Sequence, residues 1–178
     1  MKAKELLERA LVFPHNLGEG KLEGAKDNNI HYYLGLAEGA LGNEEASLRH
    51  LELAAAGNEE PASAMYYNDQ PDMILYQGLA NRALGREDKA RSRFYKLISY
   101  GEKHYYDQVK IDYFAVSLPD LQLFDEDLSI RNRAHCEYLI ALGSYGLGDR
   151  ERAKKCYDSV LGIDKSHQGA ILHKNLLK

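Results

Sequence analysis

Apolar residues return along this chain at helical spacing, in three stretches that share one pattern. Around Gly85, the small residue Gly78 stands seven positions earlier, Leu84 one earlier, and Ala90, Phe94 and Leu97 follow at +5, +9 and +12. The same offsets place Gly35, Leu41, Ser47, Leu51 and Ala54 around Gly42. They place Ala141, Leu147, Ala153, Tyr157 and Val160 around Gly148. This order predicts three helical hairpins packed one on the next. The first small residue of each falls in mid-helix, where glycine costs about 1 kcal/mol relative to alanine. A second helix crossing close above it offsets that cost. The second small residue supplies the facing surface, and the large residue one turn further on fills the seam. Gly42, Gly85 and Gly148 follow the last apolar residue of a helix, where a left-handed cap favours glycine. Acidic residues come next in each copy (Glu44 and Glu45, Glu87 and Asp88, Glu151), as the positive end of a new helix dipole prefers.

The pattern predicts helix pairs over about 27–41 and 44–56, 71–84 and 88–100, and 128–147 and 150–161. A last amphipathic helix over 166–177 would turn Ile171, Leu172 and Leu176 inward. At the other end, Lys2 to Val12 carries Ala3, Leu7 and Ala10 at the offsets of a second hairpin helix, with Leu6 and Leu11 widening the stripe. No partner helix precedes it, and an apolar face is seldom left bare. The expectation is that the domain was excised from a longer protein, within or just after an earlier repeat. A natural capping helix is the alternative. Phe13 to Gly24 reads as a loop punctuated by proline and glycine. The whole of 1–178 then forms one all-α domain with repeats at about 27–56, 71–100 and 128–162.

Two insertions break the regularity, at about 57–70 and 102–127. The first ends in Asp69, Gln70 and Pro71, a capping cluster for the next helix. That role leaves Tyr66, Tyr67 and Asn68 unexplained. In the second, Val109, Ile111 and Tyr113 alternate like a strand, whereas Ile111, Phe114, Ala115 and Leu118 suit a short helix stopped by Pro119. The helix is favoured among helical neighbours. The segment is too apolar for a disordered linker.

Composition narrows the function. A hydrophobic share of 44% and a charged share of 28% are those of a globular protein with a core. A formal net charge of −4 argues against a general nucleic-acid or acidic-membrane binder. No apolar run approaches the roughly 20 residues that span a bilayer, and no signal-peptide pattern opens the chain. The two cysteines, Cys136 and Cys156, suggest a reducing, cytoplasmic setting rather than a disulfide scaffold, with a redox pair across the third hairpin as the minor alternative. No cofactor motif stands out. The Gly18-Glu19-Gly20 run lacks the strand and Lys-Ser context of a phosphate loop. His167 and His173 are six apart, on different helix faces, so no metal set is expected.

The small–Leu-Gly–small–large order resembles the tetratricopeptide (TPR) repeat, which has Leu-Gly in its first helix and Ala-x3-Phe in its second. The likeness is degenerate. His31, Ile74 and Glu137 replace the opening aromatic, Gln77 replaces a leucine, and Glu38, Asn81 and Ser144 replace a later tyrosine. The intervals from Gly42 to Gly85 and Gly85 to Gly148 are 43 and 63 residues, against a repeat of about 34. The strings AMYYNDQPDMILYQG and DYFAVSLPDLQLFDEDL also resemble the C-terminal TPR region of large bacterial proteins. The N-terminal part of those proteins is an uncharacterised β-rich domain, and the resemblance implies a carbohydrate-related function for it.

The resemblance implies an α-α superhelix that binds along a concave face lined by the first helices. Carried over by position, that face comprises Asn29, Tyr32, Leu36, Asp72, Leu75, Leu79, Arg82, His135, Tyr138, Leu142 and Tyr145. With only Asn29 and Arg82 of the carboxylate-holding type, the chaperone-binding subfamily is disfavoured. The insertions add Asn68, Asp69, Asp112 and Tyr113, with Arg131 beside His135. The expected function is a non-catalytic protein–protein interaction or scaffolding module. Its partner would be a protein, a peptide or the rest of its own polypeptide, and the N-terminal helix would allow a homo-oligomer. The alternative is an accessory domain of a bacterial carbohydrate-related enzyme that helps form a small-molecule or glycan pocket. That reading requires Asn68, Asp69, Asp112, Arg131 and His135 to converge in one cleft.

Overall fold

The computed structural model describes residues 2–13, 16, 20–21, 26–63, 70–108 and 128–178. Tyr66 to Asp69 and residues 109–127 lie outside them, and with them the candidate residues Asn68, Asp69, Asp112 and Tyr113. Among the described residues the protein is all-helical. The helices are α1 (Lys2–Ala10), α2 (Asn28–Ala40), α3 (Glu44–Ala55), α4 (Asp72–Ala83), α5 (Glu87–His104), α6 (Leu128–Leu147), α7 (Arg150–Ile163) and α8 (Gln168–Lys174), and a 3-10 turn (Asn175–Leu177) follows.

Helices α2 and α3, α4 and α5, and α6 and α7 pair, and each pair packs on the next. The glycines explain how they approach. A methyl on Gly35 would meet Leu51 Cγ at 2.7 Å, and Ser47 Oγ donates to the Gly35 carbonyl at 2.7 Å. A methyl on Gly78 would strike the Phe94 ring. Gly42, Gly85 and Gly148 turn the chain between the helices of each pair with φ of 82°, 75° and 85°, the left-handed conformation that side chains resist. Leu51, Phe94 and Tyr157 are buried, as are Leu34, Leu75, Leu97, Leu139 and Leu142.

Two expectations need correction. Helix α5 does not end at Tyr100 but runs to His104. Gly101 is no stop here: it lies under α6, where a methyl would meet the Cys136 carbonyl oxygen at 2.6 Å. Asn132 Nδ2 then donates to the His104 carbonyl at 2.8 Å and fastens the extra turn. In α8 the buried residues are Ala170 and His173, whereas Ile171 and Leu172 are 40% and 57% exposed. Small residues let α8 come close, since even a methyl on Gly169 would strike Tyr138. In α1 nothing is buried, and Ala3 and Ala10, at the offsets of a second hairpin helix, are exposed. Leu7 is half-buried, Leu6 is exposed, and Lys4 Nζ meets Glu38 Oε1 of α2 at 2.9 Å.

Two of the polar residues that depart from the repeat pattern, Glu38 and Gln77, have structural partners. Glu38 accepts from Lys4 and from Asn43 Nδ2 (2.7 Å), and the Lys4 hydrogen bond is the larger cause of its lowered pKa. Gln77 Nε2 donates to the Asn58 carbonyl at 2.9 Å. It begins a strap in which residues 58–62 cross the later helices. Arg93 pairs with Glu59, Lys96 Nζ meets Glu60 at 2.5 Å, and His135 Nε2 donates to the Ala62 carbonyl at 2.8 Å.

Candidate functional site

The first helices of the three pairs lie side by side, α2 against α4 and α4 against α6, and the face they share is called the inner face. Tyr32 and Tyr33 of α2 contact Tyr76 of α4, with ring centroids 5.8 and 5.7 Å apart. Tyr76 is buried, whereas Tyr32, Tyr33 and Tyr145 are half-buried. Burial is the first cause that raises the phenol pKa of Tyr32, Tyr76 and Tyr145, so all three carry O–H donors at neutral pH. Leu36, one turn beyond Tyr32, is 44% exposed. Arg82 is exposed, but its guanidinium is engaged. It donates to the Gly146 carbonyl at 2.7 Å, pairs with Glu87 at 2.9 Å, and lies 5.0 Å from the Phe94 ring centre. Leu75 and Leu142, expected on this face, are fully buried and belong to the core.

At the third pair the expected groove is roofed. Helix α8 lies over Tyr138 and seals it at 4% exposure. Fully buried His173 answers two phenols there. Its Nδ1 is 2.8 Å from the Gly169 carbonyl, which can only accept, so the proton sits on Nδ1. Tyr138 Oη shares that proton at 3.0 Å, and in the neutral ring Nε2 accepts from the Tyr76 hydroxyl at 3.1 Å. Asp72 Oδ2 stands 4.0 Å from Nε2. Burial raises the Asp72 carboxyl pKa, and the nearby His173 only partly opposes it.

Beside this cluster opens a cleft of about 850 Å³. It lies between Asn29, the start of α4 (Gln70 to Asp72), the first half of α6 (Ile130, Arg131, Ala134, His135, Tyr138) and the α7–α8 turn (Ile163 to Gly169) with Leu172. His135 and His167 both have lowered pKa values, burial being the first cause, and so are neutral near pH 7. Both rings have a fixed tautomer. His135 donates from Nε2, while His167 Nδ1 caps α8 by accepting from the Ala170 amide at 3.1 Å, which leaves its proton on Nε2. Asp164 accepts from the Ser166 hydroxyl and amide at 2.7 and 2.8 Å, and those bonds hold its pKa down.

Of the candidate residues, Arg131, His135 and Tyr138 line the cleft, and Tyr32, Arg82 and Tyr145 lie on the inner face. Tyr32 is electrostatically coupled to both Arg82 and Tyr145. The sequence reading missed Asp164, His167 and His173 as site-forming residues. A signal existed for His173: it shares one helix face with Ala170 and Leu177, a register that competes with the more apolar one chosen.

The thiols of Cys136 and Cys156 are buried and unbridged, and burial pushes each up to about 12. They are protonated at neutral pH and poor nucleophiles. Among the described residues no group of three His, Cys, Asp or Glu could hold a metal ion, and no helix is long and apolar enough to cross a membrane. No family model matches the chain.

Proposed function

We propose that this protein is a non-catalytic interaction or scaffolding module, a superhelical row of TPR-like hairpins that docks a protein or peptide partner on the inner face. The observation that carries this reading is the continuity of that face. Three successive pairs bring Tyr32, Tyr33, Leu36 and Tyr145 to one partly exposed surface over a buried tyrosine. Tyrosine gives large contact area at low entropy cost and keeps a polar tip for hydrogen bonds. The engaged Arg82 holds α4 to α6 beneath it and makes the surface rigid before a partner arrives.

Site-specific photo-crosslinking tests the reading. A benzophenone side chain at Leu36, on the inner face, is compared with one at Tyr95, which is 48% exposed on α5. Partner adducts form from Leu36 and not from Tyr95, and Leu36→Glu abolishes recruitment at an unchanged melting temperature. Equal adducts from both positions, or full recruitment by Leu36→Glu, would overturn the proposal.

A further inference from the structure

The cleft under the α7–α8 turn has a chemistry that the inner face lacks. Its charged side chains are two carboxyl groups and one guanidinium. Asp164, with its lowered pKa, is ionised, and Asp72 adds a second carboxyl group. His135 has its ring proton on Nε2, committed to Ala62, so Nδ1 is left as a lone-pair acceptor. Against these stand the His167 Nε2–H and exposed Arg131, so an anion would meet two carboxyl groups for one guanidinium. The rim is different in kind. Ile130, Ile163 and Leu172 are 42%, 40% and 57% exposed, and all three border this one cleft.

Exposed apolar side chains beside two carboxyl groups match a side chain built from an aliphatic stem and a donor-only cationic head. Lysine and arginine are the residues with that form. We infer that the cleft receives a lysine or arginine side chain of the peptide partner, its stem against Ile130, Ile163 and Leu172 and its head at Asp72 and Asp164. This rests on the interaction-module reading and names what such a module recognises. It also gives the half-buried Asp72 a role: a partly desolvated carboxyl group that is uphill to ionise alone is favourably ionised beside an entering cation. Neutral His135 and His167 suit a cation as well, since protonated rings would repel it.

The test uses blocked single residues as probes: N-acetyl methylamides of arginine, lysine, citrulline, norleucine and glutamate. They are titrated into the full chain and followed by NMR at the imidazole resonances of His135 and His167. The arginine and lysine probes shift both rings saturably, added salt weakens them, and citrulline, norleucine and glutamate do not bind. Asp72→Asn keeps the shape, removes the charge and weakens the arginine probe about ten-fold or more. Should that variant fail to fold, Asp164→Asn carries the same comparison, because the amide oxygen retains the Ser166 contacts. Equal binding of arginine and citrulline, preference for glutamate, or no saturable shift below about 10 mM overturns the inference. Failure of the probes with Leu36-dependent crosslinking intact removes only the cleft assignment. Loss of the crosslinking contrast removes the module reading itself.

Discussion

Gly78 lies so close beneath Phe94 that the glycine has no room for even a methyl group. Gly146 of α6 approaches the same ring from another side with the same result. One aromatic ring therefore seats three helices, and a hydrogen in place of a side chain makes each approach possible.

The first prediction contrasts that contact with its exposed neighbour. Gly78→Leu forces the fully buried Phe94 out of place, and overpacking costs about 1–3 kcal/mol or more. Arg82→Ala loses a partly exposed ion pair, a carbonyl contact and the cover over the Phe94 ring, a loss of about 1 kcal/mol. Urea denaturation should give a much lower midpoint for the glycine variant. Coincident midpoints would refute the packing role.

Replacing His173 by phenylalanine roughly keeps its volume and removes both ring nitrogens. The hydroxyls of Tyr76 and Tyr138 then lose the partner they share. Each buried unsatisfied group costs about 1–3 kcal/mol, so the fold should lose at least about 2 kcal/mol. A thermal melt as high as that of the native protein would show that the phenols do not depend on it.

Acid sensitivity follows from the burial of His135, which its bond to the Ala62 carbonyl only partly opposes. The folded state lowers the His135 pKa from the usual 6.5, so the unfolded chain binds the proton more readily. The stability it contributes is therefore present above 6.5 and lost as pH falls through the depressed folded value. His135→Gln retains an N–H donor for the Ala62 carbonyl but does not titrate. Its denaturation midpoint should fall less steeply below pH 6.5 than that of the native protein. His31 and His167 are depressed in the same direction and keep some slope in both. Identical slopes would remove His135 from the account.

Cys136 and Cys156 should resist iodoacetamide in the folded protein near neutral pH, because thiols pushed up to about 12 present almost no thiolate. Both should react once denaturant opens the core. Mass spectrometry of the alkylated chain distinguishes the outcomes, and rapid native labelling of either residue would contradict their burial.

The helices and their turns were legible because they rest on local rules. Gly42, Gly85 and Gly148 do adopt the left-handed conformation, and Leu51 and Phe94 do meet the small residue of the paired helix. The reach of α5 past Gly101 was less legible, for a related reason. Glycine both ends helices and admits close neighbours, and only the position of α6 decides between those uses. The candidate site was less legible because its parts come from segments far apart in sequence. Tyr138 belongs to the first-helix pattern, but whether it stays open depends on α8, whose buried face is chosen by two phenols on other helices. Residue type alone could not show that Arg82 is already engaged by Gly146 and Glu87, or that His135 serves a loop carbonyl 73 residues away.

The strap from Asn58 to Ala62 changes how the row of helices should come apart. In a plain row each pair touches only its neighbours, and loss of order can creep in from one end. Here the segment that leaves the first pair is fastened to Gln77 and Arg93 in the second and to His135 in the third. Fraying at one end must therefore undo bonds at the far one. The three pairs are tied into one cooperative unit, while α1, with no buried residue, is left to loosen by itself.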